Sequence, residues 1–116
     1  MTSATCIFCR IVRGEIPADV VHDGDAFLAF RDVNPMAPIH ILIVPRRHIA
    51  SVNDVETQDG DVLAGMLLAA RTIAAQEGVA EDGFRLVANT GRDGGQSVDH
   101  LHIHLLGGRA MRWPPG

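Results

Sequence analysis

Between residues 99 and 106, histidine and aliphatic side chains alternate without a break: Asp99, His100, Leu101, His102, Ile103, His104, Leu105, Leu106. A two-residue period belongs to a β-strand with one buried face. His100, His102 and His104 are therefore predicted to share one side, with Leu101, Ile103 and Leu105 facing a core. Over residues 58–77 the period changes. Val62, Leu63, Met66, Leu67, Ala70, Ile73 and Ala74 recur at helical spacing, and Gly78 stands just beyond, so one long amphipathic helix is expected. Residues 39–44 are apolar except for His40 and end at Pro45, and residues 84–89 form another short run; both read as strands. Residues 18–22 and 25–31 flank Asp23-Gly24, a pair that favours a tight hairpin turn. Residues 6–13 suggest a short helix ended by Gly14 and Pro17, residues 34–38 a rigid loop, and residues 90–97 a polar, glycine-rich connection. Five strands, with the long helix between the third and fourth, predict an α+β fold: a five-stranded antiparallel sheet packed on a helix. No repeat, linker or low-complexity stretch divides residues 1–116, so one domain is expected.

Composition narrows the function classes. The chain has 116 residues and is 47% hydrophobic but only 4% aromatic, which predicts a largely aliphatic core. A net charge of −4 disfavours a nucleic-acid polymer as partner, because such binding rests on phosphate-backbone electrostatics. A small phosphate ester is still compatible, since a local site decides its binding. No apolar run is long enough for a membrane span, and Met1 to Thr5 do not resemble a signal peptide; a cytoplasmic protein is expected. The tail, residues 109–116, holds the single tryptophan, Trp113, beside Pro114 and Pro115. Its exposure would be unfavourable, so residues 107–116 are expected to dock on a second subunit rather than on their own core.

Three imidazoles on one strand face are hard to explain by packing, since each needs hydrogen-bond partners. A single metal ion held by all three is disfavoured. The outer pair lie about 13 Å apart at about 3.3 Å per residue, whereas zinc needs nitrogens at about 2.0–2.1 Å. Separate roles are expected. A neutral imidazole is a competent nucleophile towards phosphorus if its second nitrogen keeps its proton, and strand placement would fix that tautomer. Residues 91–97 offer backbone N–H groups beside Gly94 and Gly95, which suits phosphate oxygens; no Lys-Ser/Thr follows to make a Walker loop. Cys6 and Cys9 form a Cys-x-x-Cys pair that suggests metal chemistry in a reducing compartment, and His48 and His100 could complete a Cys₂His₂ set. The alternative is a pair of free, partly buried thiols.

The run His100-Leu101-His102-Ile103-His104-Leu105-Leu106 resembles the His-φ-His-φ-His-φ-φ motif of the histidine-triad superfamily. Gly94-Gly95-Gln96-Ser97, Arg31-Asp32-Val33-Asn34-Pro35, Val44-Pro45-Arg46-Arg47-His48 and Trp113-Pro114-Pro115-Gly116 are similar to segments of its nucleotide-binding (Hint) branch. The resemblance runs from about Cys6 to Gly116. It implies a homodimer whose sheets join, and a purine nucleoside 5′-monophosphoramidase that cleaves the P–N bond of AMP- or GMP-amine conjugates through a nucleotidyl-histidine. By position, His102 would be the nucleophile, flanked by His100. His104 would contact the phosphate and assist the leaving group, with His40 in support. Asn89, Gly95, Gln96 and Ser97 would hold the phosphate and Asp32 the ribose. Phe8, Ile11, Phe30 and Val33 would border the base, and Trp113 would approach the partner's site. Relatives with the amino-terminal cysteine pair imply a structural zinc on Cys6, Cys9, His48 and His100, with no cofactor required for catalysis. A dinucleoside polyphosphate hydrolase, or a nucleotide-binding regulatory module with incidental hydrolysis, are the alternative functions. Asp99 departs from the aromatic residue common in relatives and is expected to face solvent or bond locally. His22 matches no family role and is expected at the surface.

Overall fold

The third strand is apolar on both sides because both faces of the sheet are covered. In the computed structural model, which describes residues 4–116, the chain runs α1 (Ile7–Val12), β1 (Val20–Asp23), β2 (Phe27–Arg31) and β3 (Ile39–Pro45). Two 3₁₀ turns (Val52–Asp54 and Thr57–Asp59), α2 (Gly60–Gln76), β4 (Phe84–Val87) and β5 (Ile103–Gly107) follow. The five strands form one antiparallel sheet in the order β1-β2-β3-β5-β4. The expected strand and helix order is thus observed, with ends shifted by a few residues.

Alternation along β2 and β3 sorts the core into two layers. Ala29, Ile41 and Ile43 meet Met66, Ala69, Ala70, Ile73 and Ala74 of α2. Leu28, Phe30, Leu42 and Val44 face the other way and pack with Cys6, Phe8 and Cys9 at the amino-terminal end. A strand buried on both faces reads as a continuous apolar run, which is what residues 39–44 show. The small side chains Ala69, Ala70 and Ala74 let α2 approach the sheet closely. Leu67, expected on the buried stripe, is instead 53% exposed beside Leu68 at 54%. Helix α2 ends with Gly78 at φ +77°, a left-handed conformation open to glycine at little cost. The Val79 N–H donates to the Ala74 carbonyl there at 2.9 Å.

The histidine strand is shorter than its alternation predicts. Pairing between β3 and β5 begins at Ile43–Ile103, while the Leu101 N–H donates to the Ile49 carbonyl at 2.6 Å. Residues 98–100 bend the chain out of the sheet, so His100 and His102 precede β5 and only His104 lies within it. Leu101 and Leu105 are buried as expected, and Asp99 is exposed. In the tail, Arg109 donates through Nε and Nη2 to the Met36 carbonyl at 3.1 and 3.0 Å, whereas Trp113 is 83% exposed. Among the described residues, no helix is long and apolar enough to cross a membrane.

Candidate active site

The cavity of about 580 Å³ beside α1 lies on the sheet face opposite α2. Its walls are Ile7, Phe8 and Ile11 of α1, the connection through Ile16, Pro17, Ala18 and Asp19, and Phe30 and Leu42 of the sheet. His102, His104, Asp32, Val33, Ser97 and Val98 complete the lining with Arg31. The register explains the grouping: Phe30 pairs with Leu42, and Leu42 pairs with His104, so the three share one row across the sheet.

Two hydrogen bonds set the protons on the histidines. His102 Nδ1 lies 2.7 Å from the backbone carbonyl of His100, and a carbonyl can only accept. Nδ1 therefore carries the proton, and Nε2 keeps its lone pair. On the neighbouring strand, the Met36 N–H donates to His40 Nδ1 at 3.0 Å. His40 in its neutral form must then be protonated at Nε2, which donates to His104 Nδ1 at 2.9 Å. His104 is left with its proton on Nε2. The rings of His102 and His104 are adjacent, with centroids 4.9 Å apart. One offers a lone pair and the other a proton.

Burial supports the neutral forms. Desolvation, with His102 and His40 adding like charge, brings His104 down to about 4. His40 is also lowered by burial, against a partial rise from Asp32, whose Oδ2 lies 3.4 Å from His40 Nε2. Asp32, His40 and His104 could on composition hold a cation. That would need the proton moved from His40 Nε2 to Nδ1, where the Met36 N–H already donates, so the tautomer disfavours it.

Sulfur and imidazole meet behind the cavity. Cys6 Sγ lies 3.3 Å from His100 Nδ1, and Cys9 Sγ lies 3.2 Å from His48 Nδ1 and 3.4 Å from His100 Nδ1. The four donor atoms all fall within 4.8 Å of one another. His100 Nε2–H donates to the Pro45 carbonyl at 2.8 Å, which turns the Nδ1 lone pair towards the thiols. Burial, and the hydrogen bond with Cys6, push the Cys9 thiol up to about 11.

Of the residues singled out from the sequence, Phe8, Ile11, Phe30, Asp32, Val33, Ser97, His102 and His104 line the cavity, although Val33 is 92% exposed. Asn89, Gly95, Gln96, Trp113, His100 and His40 do not line it. Asn89 Nδ2 donates to the Gly94 carbonyl at 2.7 Å, and Gln96 Nε2 donates to the carbonyls of Ala50 and Val98 at 2.7 and 3.0 Å. Gln96 Oε1 also accepts from the Gly91 N–H at 3.0 Å, so both side chains brace the loop. Gly94 is required by the loop itself, because a Cβ there would stand 2.2 Å from the Thr90 carbonyl oxygen. Asp32 also closes a turn, accepting from the Asn34 N–H at 2.8 Å. His22 stacks on Phe27 with centroids 5.3 Å apart. Sequence reasoning missed Ile7, Ile16 to Asp19, Arg31, Leu42 and Val98. Leu42 was within reach, since it alternates with His40 along β3.

Comparison with known proteins agrees with this architecture. The model of the HIT domain family matches residues 13–111. The purine nucleoside phosphoramidase of Escherichia coli K12 is 53% identical over 105 residues, covering 90% of this chain and 88% of that protein. An uncharacterized HIT-like protein of Synechococcus elongatus is 54% identical over 98% of this chain and 99% of its own length. The crystal structure of a HIT family hydrolase from Legionella pneumophila superposes with a TM-score of 0.95 at 54% identity, covering 97% of this chain and all 100% of that one. A histidine triad protein from Clostridium difficile gives 0.92 at 43% identity, covering 97% of each chain. With its five-stranded sheet, paired histidine tautomers and alternating motif, this chain belongs to the HIT domain family.

Proposed function

We propose that the protein is a purine nucleoside 5′-monophosphoramidase, a hydrolase of the P–N bond in nucleotide–amine conjugates. The observation that carries the reading is the complementary protonation of His102 and His104 at one end of the cavity. The phosphoramidase of E. coli, at 53% identity, supports the same reaction class. In the first step the His102 Nε2 lone pair forms a bond to phosphorus and the P–N bond breaks. The leaving amine takes a proton delivered through His104 Nε2, and one proton taken up from solvent as the conjugate binds keeps that imidazole neutral after the transfer. An anionic phosphate bound beside His104 raises its affinity for a proton, against the lowering that burial causes. In the second step a water oxygen forms a bond to phosphorus, the P–Nε2 bond to His102 breaks and returns its lone pair, the water's proton leaves through His104, and the nucleoside monophosphate departs. Asp32 accepts from the ribose hydroxyls. The loop of residues 91–97 faces the phosphate through backbone N–H groups and Ser97, with Asn89, Gly95 and Gln96 shaping it. Phe8, Ile11, Phe30 and Val33 border the base.

A zinc ion fits Cys6, Cys9, His48 and His100, whose donor atoms are clustered and whose His100 lone pair is already oriented. His48 Nδ1 already faces Cys9 Sγ at 3.2 Å, and among the described residues its buried Nε2 has no hydrogen-bond partner. Such an ion would fasten the amino terminus to the segment before β5; it supplies no chemistry to the reaction. A homodimer is supported by the exposed Trp113, Leu67 and Leu68 and by the position of β4 at the edge of the sheet. Residues 107–116 would then reach the second subunit. A cytoplasmic setting accords with the paired thiols.

The test is mass spectrometry of protein quenched during turnover of an AMP-amine conjugate. A nucleotidyl adduct on His102 is expected. An adduct elsewhere, or faster turnover of diadenosine polyphosphate than of the conjugate, would overturn the assignment.

A further inference from the structure

The donors that fix the His104 proton can be followed outward from the site. His104 Nδ1 accepts from His40 Nε2 at 2.9 Å, and His40 Nδ1 accepts from the Met36 N–H at 3.0 Å. That last donor stands on a loop. Residues 34–38 lie outside the strands, and of these five only Ala37 is buried. The Met36 side chain is 68% exposed, so its packing does little to hold the amide in place. The hold comes from the other end of the chain: Arg109 donates through Nε and Nη2 to the Met36 carbonyl at 3.1 and 3.0 Å.

The backbone brings Arg109 there. Strand β5 ends at Gly107, opposite Ile39 at the start of β3, so the residues that follow pass the 34–38 loop. Gly108 is left-handed at φ +89°, and a Cβ on it would stand 2.9 Å from Pro38 Cβ. A bare backbone at that point lets the chain cross close to the loop. Within the loop, Pro35 fixes its own φ and Pro38 restricts Ala37, which leaves Met36 as the freest link. Two N–H groups of a rigid, charged plane meet on one carbonyl oxygen and hold it more firmly than a single neutral donor would. With the carbonyl held, the amide on the other side of the same Cα keeps its aim at His40 Nδ1.

We propose that Arg109 is a positioning residue for the reaction: its grip on the Met36 carbonyl keeps the Met36 N–H on His40 and thereby the His104 proton on Nε2. Without the grip, the Met36 amide is free to turn away. His40 can then carry its proton on Nδ1 and accept at Nε2 from His104, which draws the His104 proton to Nδ1. No proton is left on His104 Nε2 for the amine. Arg109 does not line the cavity, so it has no direct part in holding substrate. The effect on turnover rests on the phosphoramidase reading proposed above, whereas the effect on the tautomer does not.

The test combines nitrogen-15 NMR with steady-state kinetics on the full-length protein, Arg109→Ala and Arg109→Lys. In Arg109→Ala a mixture of His104 tautomers is expected, with kcat for an AMP-amine conjugate lowered about three- to tenfold and KM changed less than about twofold. Arg109→Lys keeps a cationic donor and is expected to restore part of both the Nε2–H form and kcat. A pure Nε2–H form in Arg109→Ala, or a lower Tm with kcat unchanged, would overturn the inference. In the native protein the Arg109 Nε–H is expected to exchange slowly with water. Rapid exchange would overturn the inference without any substitution, so poor folding of a variant does not spoil the result. If the native protein fails to turn over the conjugate, the functional reading falls and the tautomer comparison still decides the positioning role.

Discussion

The imidazole of His102 is held by the backbone of His100: Nδ1–H donates to that carbonyl at 2.7 Å, two residues away along the same segment. The bond stiffens the ring and fixes which nitrogen is free. His100 is itself immobilised by Pro45 on one side and by the thiols of Cys6 and Cys9 on the other. Replacing His102 by alanine is expected to lower turnover of a nucleotide–amine conjugate by about a thousandfold or more. Nucleotide binding, measured by calorimetry, should persist because Phe8, Phe30 and Asp32 still line the cavity. Turnover near the native rate would remove His102 as nucleophile.

His40 does not reach the cavity, yet it sets the proton on His104. In His40→Phe nothing donates to His104 Nδ1, and the proton can move to that nitrogen. A fall in kcat on the order of tenfold or more is expected, with KM changing less. Nitrogen-15 NMR of the imidazoles should show native His104 protonated at Nε2 and the variant as a mixture of tautomers. A pure Nε2–H form in both proteins would contradict the relay.

Stability should fall in mild acid. The folded-state value for His104 is about 4, against an ordinary 6.5, chiefly because burial penalises the charged ring. Between these values the unfolded chain binds more protons than the native protein, so stability is complete above about pH 6.5 and declines towards pH 4. His40 is shifted in the same direction. A loss on the order of 2 kcal/mol between pH 7 and pH 4.5 is expected from urea unfolding. His104→Asn should flatten the dependence, and an unchanged slope would rule out this origin.

Purified protein is expected to contain about one zinc per chain by elemental analysis. Cys6→Ser should lose the ion and lower Tm by several degrees, with Cys9→Ser behaving alike. Native protein without zinc, and with the same Tm before and after chelator treatment, would count against the site.

The loop of residues 91–97 depends on Gly94. In Gly94→Ala the new Cβ would stand 2.2 Å from the Thr90 carbonyl oxygen, a backbone atom that cannot swing aside. A cost of about 1–3 kcal/mol is expected from thermal unfolding. The loop must also shift, so KM for a nucleotide conjugate should rise. Native-like values for both would show that the loop accommodates the methyl group.

Much of this was legible in the chain because alternation and helical spacing record burial directly. Residues 39–44 announced a strand, and the small apolar side chains of α2 announced its buried face. The ends of elements were less legible. Nothing in the alternation of residues 99–106 records that Leu101 pairs with Ile49 rather than with β3, since that contact depends on distant chain. The histidines were conspicuous as a group, whereas their proton positions depended on partners such as the Met36 N–H and the His100 carbonyl, and backbone groups leave no mark in a sequence. Asn89 and Gln96 look the same in sequence whether they hold a phosphate or brace a loop. The wall at Ile16 to Asp19 carried no periodic signal because an irregular connection forms it.

Helix α1 is only six residues long, and its opposite sides do different things: Cys9 turns inward to the sulfur–imidazole cluster, while Phe8 and Ile11 roof the cavity. A single turn and a half of helix does not persist on its own in water. The ceiling over the cavity is therefore held twice, by Phe8 packed on Phe30 from within and by two sulfur atoms that tie α1 to His48 and His100 from behind. Loosening the sulfurs would slacken the roof without touching a residue inside the chamber.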